Sequence, residues 1–170
     1  NNYTGTTTIS GGSLAVSGAT AQAGTGGTIA IGGNTLDIMN GATLANSVTI
    51  NGGTIANSAT TGTLSGDVTL AGNSNVSSTA TGLTLSGVIG GGFGITNTGT
   101  STVTLSGVNT YTGTTTITSG TLSLGHATNT LNDASSVVVN GGTLDLGGNN
   151  DTVAGVQMTS GNITGTGGTL

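Results

Sequence analysis

The feature that most constrains this chain is a rhythm. A short run of alternating aliphatic and small residues, closed by a glycine-rich turn, returns about every twenty positions. Ile29-Ala30-Ile31-Gly32-Gly33, Val48-Thr49-Ile50-Asn51-Gly52-Gly53 and Val68-Thr69-Leu70-Ala71-Gly72 show it early. Val137-Val138-Val139-Asn140-Gly141-Gly142 and Val156-Gln157-Met158-Thr159-Ser160-Gly161 show it late. The strand ends Ile9, Ile31, Ile50, Leu70, Ile95, Ile117, Val139 and Met158 lie 19 to 25 residues apart. Alternation with period two is the mark of half-buried strands, and no segment has a helical period. Asn-Gly and Gly-Gly pairs supply the positive φ of tight bends.

Short strands at a constant interval predict an all-β fold, a single-stranded parallel β-helix of about eight coils of roughly twenty residues. At about 4.8 Å per coil, eight coils make a rod of about 38 Å. Aliphatic residues then form interior rows, and Thr, Ser and Asn cover the faces. One coil cannot bury its own apolar side, so each depends on its neighbours.

A longer period contains the short one. Tyr111 follows Tyr3 by 108 positions (111 − 3), and the same offset carries Ile9 to Ile117 and Leu14 to Leu122. It maps Thr35-Leu36-Asp37 onto Thr143-Leu144-Asp145, Val48 onto Val156 and Ile55 onto Ile163. The whole chain, 1–170, reads as one solenoid segment of a longer repetitive chain, with one 108-residue repeat complete at 2–109 and a second, partial one at 110–170. Within it, residues 17–27 read as a wide turn. Residues 71–82 and 126–136 read as loops off the rod.

Composition explains what the stack tolerates. The chain has 35 Gly, no Pro, no Cys, no Lys or Arg, and 3% charged residues. In a stacked coil like residues sit above one another, so rows of like charge repel while rows of Thr, Asn or Val support each other. Proline would remove a ladder donor. Low charge with slightly positive mean hydropathy, +0.21, argues against charge-driven disorder. Without cations the chain cannot neutralise nucleic-acid phosphates or bind an anionic membrane through a basic patch. No apolar run reaches the ~20 residues that span a bilayer, so no direct membrane insertion is expected. The chain opens inside a repeat motif with no leader-like segment, which reads as a mature or excised start.

Residues 83–125 carry the most distinctive pattern. Leu83-Thr84-Leu85-Ser86-Gly87-Val88-Ile89-Gly90-Gly91-Gly92-Phe93-Gly94-Ile95 leads into Val103-Thr104-Leu105-Ser106-Gly107-Val108-Asn109-Thr110-Tyr111-Thr112-Gly113-Thr114-Thr115-Thr116-Ile117. This run resembles the autotransporter-associated β-strand repeat, also called the passenger-associated transport repeat. Its second half recurs at residues 2–16. Ile95 stands for the family's Leu, and the family's Lys is replaced near Asn97. The resemblance implies a right-handed parallel β-helix within a large, secreted bacterial surface protein, exported through an outer-membrane barrel.

Candidate chemical groups are few. Tyr3 and Tyr111 occupy equivalent rung positions and read as corner aromatics packed on threonine methyls; the competing reading is an exposed platform for glycan stacking. Phe93, among glycines, reads as a plug or corner residue. His126 has no second His and no Cys, so a zinc site lacks ligands, and it reads as a solvated loop residue. Asp37 and Asp145 are repeat equivalents about five coils apart, roughly 24 Å, too far for a paired-carboxylate glycosidase. Asp133 and Asp151 read as solvated. No Asp follows the Gly-Gly pairs at calcium-solenoid spacing. With one His and no Lys, no nucleophile has a base. Thr6/Thr8, Thr102/Thr104 and Thr114/Thr116 suit a flat ice-binding array, but Ser47/Thr49, Asp67/Thr69 and Ser136/Val138 interrupt it. The expectation is therefore no enzyme, no cofactor, no metal and no nucleic-acid partner. A structural stalk or adhesin passenger on a bacterial surface is the first reading. End-to-end assembly into an extracellular fibre is the alternative, and a carbohydrate-binding module contacting glycans or a cell surface is the third.

Overall fold

The computed structural model describes residues 2–19 and 22–170. It is all-β with parallel strands stacked as a solenoid of about eight turns. The coils of residues 29–105 contribute strands to three faces, and the coils at either end to two. On the first face β1 (Thr7–Ile9), β3 (Ile29–Gly32), β6 (Val48–Asn51), β9 (Val68–Leu70) and β12 (Ile89–Gly91) pair in that order. The second face runs β2 (Ser13–Ser17), β4 (Thr35–Met39), β7 (Thr54–Asn57), β10 (Ser74–Ser78), β13 (Ile95–Asn97), β15 (Thr115–Ile117) and the first halves of β17 (Ser136–Asp145) and β18 (Gly155–Thr164). The third runs β5 (Ala42–Leu44), β8 (Thr61–Leu64), β11 (Gly82–Leu85), β14 (Thr102–Leu105), β16 (Thr121–Leu124) and the second halves of β17 and β18.

The predicted interior rows are present. Ile9, Ile31, Ile50 and Leu70 pair in register and are all buried. On the second face Leu36, Ile55, Val76, Asn97, Ile117 and Val139 form a row. On the third, Leu83, Val103, Leu122 and Leu144 do the same. Branched side chains suit this site because their stiff χ1 pre-sets them for stacking on a pleated surface.

The sequence rhythm conceals a change of face. The partner of Leu70 in its row is Gly91, not Ile95. Ile95 belongs to the second face, which is why the interval there stretches to 25 residues (95 − 70). The 108-residue offset behaves likewise. Ile9 lies on the first face and Ile117 on the second; Leu14 lies on the second and Leu122 on the third. The offset therefore spans five coils and one face. Tyr3 and Tyr111 share a local geometry but not a place on the rod's circumference.

Residues 71–82 are not a loop off the rod. They contain β10, paired on both sides. Its inward positions are Ser74, Val76 and Ser78, and the two serines remain buried because Ser74 donates to the Gly72 carbonyl (2.8 Å) and Ser78 to Asn57 Oδ1 (3.3 Å). Polar inward residues erased the alternation that would have marked the strand. Residues 126–135 do leave regular pairing, but the segment stays packed: Thr130, Leu131 and Ser135 are buried, and Thr128 bridges Asn150. The wide turn of residues 17–27 includes Thr20 and Ala21, which lie outside the described residues.

Candidate functional site

The segment Ser106-Gly107-Val108-Asn109-Thr110-Tyr111-Thr112-Gly113 forms a corner that is held to the adjacent coils at several points. A Cβ on Gly107 would lie 2.4 Å from the Gly87 carbonyl oxygen, one on Gly87 would lie 2.3 Å from that of Gly66, and one on Gly66 would lie 2.1 Å from that of Asn46. This column of corners is stacked too closely for any side chain. Asn109 is buried and ties three coils: its Oδ1 accepts from Ile89 N–H (2.9 Å) and its Nδ2 donates to the Thr130 carbonyl (2.6 Å). Tyr111 is fully buried, with its hydroxyl 2.6 Å from Thr115 Oγ1. The Thr112 amide donates to Gly91 O (3.0 Å), which sets Tyr111 beside a residue with no side chain of its own. Gly113 lies against the Phe93 backbone, 2.2 Å from where its Cβ would be.

Other side chains do the same work at other corners. Asn46 donates to the carbonyls of Ala23 (3.0 Å) and Gly27 (2.7 Å), and Asn57 to that of Ile38 (2.8 Å). Asp37 accepts from Ser58 N–H (3.0 Å) and Oγ (2.5 Å), and Asp67 from Val88 N–H (2.9 Å). Asp151 is not solvated as expected: it is 7% exposed and accepts from the amides of Leu131 (2.8 Å) and Thr152 (2.9 Å). Burial pushes its carboxyl above the usual range, those amides pull it back, and Asp133 nearby pushes it up further. Burial likewise holds the Tyr111 hydroxyl far above its ordinary range. Sequence reasoning missed Asn46, Asn57 and Asn97 as inward-facing residues. The available signal was an Asn at a position where the alternation requires an aliphatic. Asn97, near the family's Lys position, is fully buried; its Nδ2 donates to Ser119 O (3.0 Å) while its Oδ1 has no partner.

The remaining sequence candidates do not converge. Tyr3 is 40% exposed and its hydroxyl meets Thr7 Oγ1, the same four-residue bond as in Tyr111. Phe93 is a corner residue but no plug, since it faces solvent. His126 is half-buried, its Nδ1 beside the Thr128 carbonyl. Asp37 and Asp145 lie on different faces as well as different coils. No group of three or more His, Cys, Asp or Glu occurs among the described residues. The three Thr pairs named above lie on three different faces. On the third face, however, Thr104 continues an outward row of Thr43, Thr63 and Thr84, followed by Ser123, so that row is longer than the sequence indicated.

Comparison with known families matches the passenger-associated-transport-repeat to residues 1–16 and 95–124. The second match covers the corner just described, with the paired strands on either side. Searches of curated proteins and of solved structures found no match.

Proposed function

We propose, for a chain that carries the passenger-associated transport repeat, that it is a structural stalk within an adhesin-type passenger on a bacterial surface. The repeat and the solenoid support a passenger-type structural role, and the family suggests a secreted or surface protein. The observation that carries the reading is the corner of residues 106–113. Its Asn109 side chain bonds the coils on both sides and its Tyr111 ring is fully buried, which supports a signature that maintains a rod rather than a site. A stack that grows coil by coil from local contacts suits a chain that emerges progressively from an export pore. Catalysis is not part of this reading.

The test is to place the chain between an N-terminal epitope and a translocator barrel, and to measure surface display by protease shaving. Display should fall when Asn109 and Tyr111 are both replaced by Ala. Equal display from that variant, or from a flexible linker of the same length, would remove the stalk reading.

A fibre of stacked solenoids is the second reading, since a coil of this kind buries its apolar rows only against a neighbour. A monodisperse monomer in sedimentation at high concentration would dispose of it. A glycan-binding role has weaker support, because Tyr111 is buried and, of the two repeat-equivalent tyrosines, Tyr3 alone has an exposed ring.

A further inference from the structure

A cleft of about 340 Å³ opens between the corner of residues 106–113 and the segment 128–134 of the next coil. Val108, Thr110, Asn129, Asn132, Asp133 and Ala134 line it. The stack continues above it, since Thr128 bridges Asn150 and the Leu131 amide is bonded to Asp151. Its size reaches the lower end of the range usual for small-ligand sites, about 300–1,000 Å³. The rim is pre-set. Asn132 Oδ1 accepts the Ala134 amide (2.9 Å), and the Asn132 carbonyl accepts the Ser135 amide (2.8 Å) and hydroxyl (2.7 Å). This turn holds Asp133 at its tip. Asn129 enters through a left-handed backbone, φ 54°, which Asn tolerates.

The polar groups of the cleft are unengaged. Asp37, Asp67, Asp145 and Asp151 each accept hydrogen bonds within the chain. Among the described residues Asp133 accepts none, and the Thr110 hydroxyl and the Asn129 side-chain amide have no partner either. Charge then selects the ligand. The chain has no Lys or Arg, so the cleft has nothing to hold an anion and Asp133 nothing to pair with. The field of Asp133 reaches Asp151, whose carboxyl it helps to push up, and a cation beside Asp133 relieves both. A bare metal ion is a poor match. No group of three or more His, Cys, Asp or Glu occurs among the described residues, whereas Ca²⁺ takes about 6–8 oxygens. Apolar surface beside the carboxylate suits an organic cation instead. Val108 is 43% and Val88 39% exposed, and one lies over the other because Gly107 stacks on Gly87. A methylene chain can lie along this strip while its charged end meets Asp133, as lysine stems do on apolar surface.

We propose that this cleft binds an alkylammonium group. Asp133 is its counter-ion, Thr110 and Asn129 offer further acceptors for its three donors, and Val108 and Val88 carry the alkyl chain. Such a group comes from a lysine side chain of a partner polypeptide or from a free diamine.

The probes are Nα-acetyl-lysine methylamide and cadaverine, titrated into the isotope-labelled chain and followed by NMR. The Nε-acetylated form of the first probe is the uncharged control. The backbone amides of Val108, Thr110 and Ala134 should shift saturably with both charged probes and not with the control. Asp133→Asn removes a charge that holds no bond in the chain, and should weaken binding about fivefold, the scale of an exposed ion pair. Asp37→Asn makes the same change of net charge on β4, five strands below β17 on the second face, and should leave binding unchanged. Tighter binding of the lysine probe than of cadaverine marks a polypeptide as the source, and the reverse marks a free diamine. No saturable shift, equal shifts with the uncharged control, or the same affinity in the Asp133 and Asp37 variants would overturn the site.

Discussion

At the scale of single residues, the interior is exacting where it is polar. Asp151 stands where Asn109 stands two coils earlier: each side-chain oxygen accepts the amide of a residue twenty positions before it, Leu131 and Ile89 respectively (151 − 131; 109 − 89). They differ in charge and in the second contact: Asn109 donates to the Thr130 carbonyl, whereas Asp151 accepts the Thr152 amide. Because burial raises the folded-state pKa of Asp151, its contribution to stability is fully present below the unfolded pKa. That contribution is lost as pH rises through the folded value. Asp151→Asn keeps an acceptor for Leu131 and removes the buried charge. The variant should unfold at a higher temperature than wild type at pH 7, with the gap closing as pH falls below the carboxylate range. An unchanged or widening gap would show that the charge is not what burial penalises. Tyr111 makes a second case. Tyr111→Ala should cost about 3–5 kcal/mol in denaturant unfolding, as large aromatic truncations do. Tyr111→Phe should cost about 1 kcal/mol by stripping the partner from Thr115 Oγ1. Tyr3→Ala, half exposed with the same hydroxyl bond, should cost less than Tyr111→Ala although the two tyrosines are repeat equivalents.

At the scale of elements, corners decide more than strands do. Gly107 must lie against the Gly87 carbonyl, whereas Gly92 has open space where a Cβ would go. Gly107→Ala should therefore destabilise by about 1–3 kcal/mol, as overpacking does, and Gly92→Ala should change the urea midpoint little. Similar effects at both sites would mean that backbone freedom, not coil spacing, explains the glycines. The strands themselves were legible, because Val, Ile and Leu alternating with Thr state both the period and the buried side. Three things were not. β10 hid because Ser74 and Ser78 point inward, Ser74 satisfied by the nearby Gly72 carbonyl and Ser78 by Asn57 of the neighbouring coil. The burial of Asp151 hid because an Asp among Asn and Thr reads as a solvated turn, and only the neighbouring coil reveals the amide it accepts. The displacement of the repeat by one face hid because a sequence offset records which residues recur, while the face depends on the summed lengths of every corner between them.

At the scale of the molecule, that displacement bears on how the rod is held. Every coil uses the same few contacts, so stability should depend on how many neighbours a coil has rather than on its sequence. The second-face row makes this measurable, since Ile117 and Met158 occupy one row two coils apart, the first covered on both sides and fully buried, the second 52% exposed. Ile117→Ala should cost about 2–5 kcal/mol, the usual range for deleting a buried aliphatic. Met158→Ala should stay within about 0.5 kcal/mol, as exposed positions do. Hydrogen exchange should follow the same gradient. The ladder amides of β11 and β14 lie inside the stack, and those of β18 have a partner strand on one side only. Exchange should be slowest at Leu83 to Leu85 and Val103 to Leu105 and quicken coil by coil toward Val156, because the end coil can open without its neighbour. If the amides of β18 exchanged as slowly as those of β14 in a monomeric sample, the rod would be a single cooperative unit, and the nearest-neighbour account of its stability would fail.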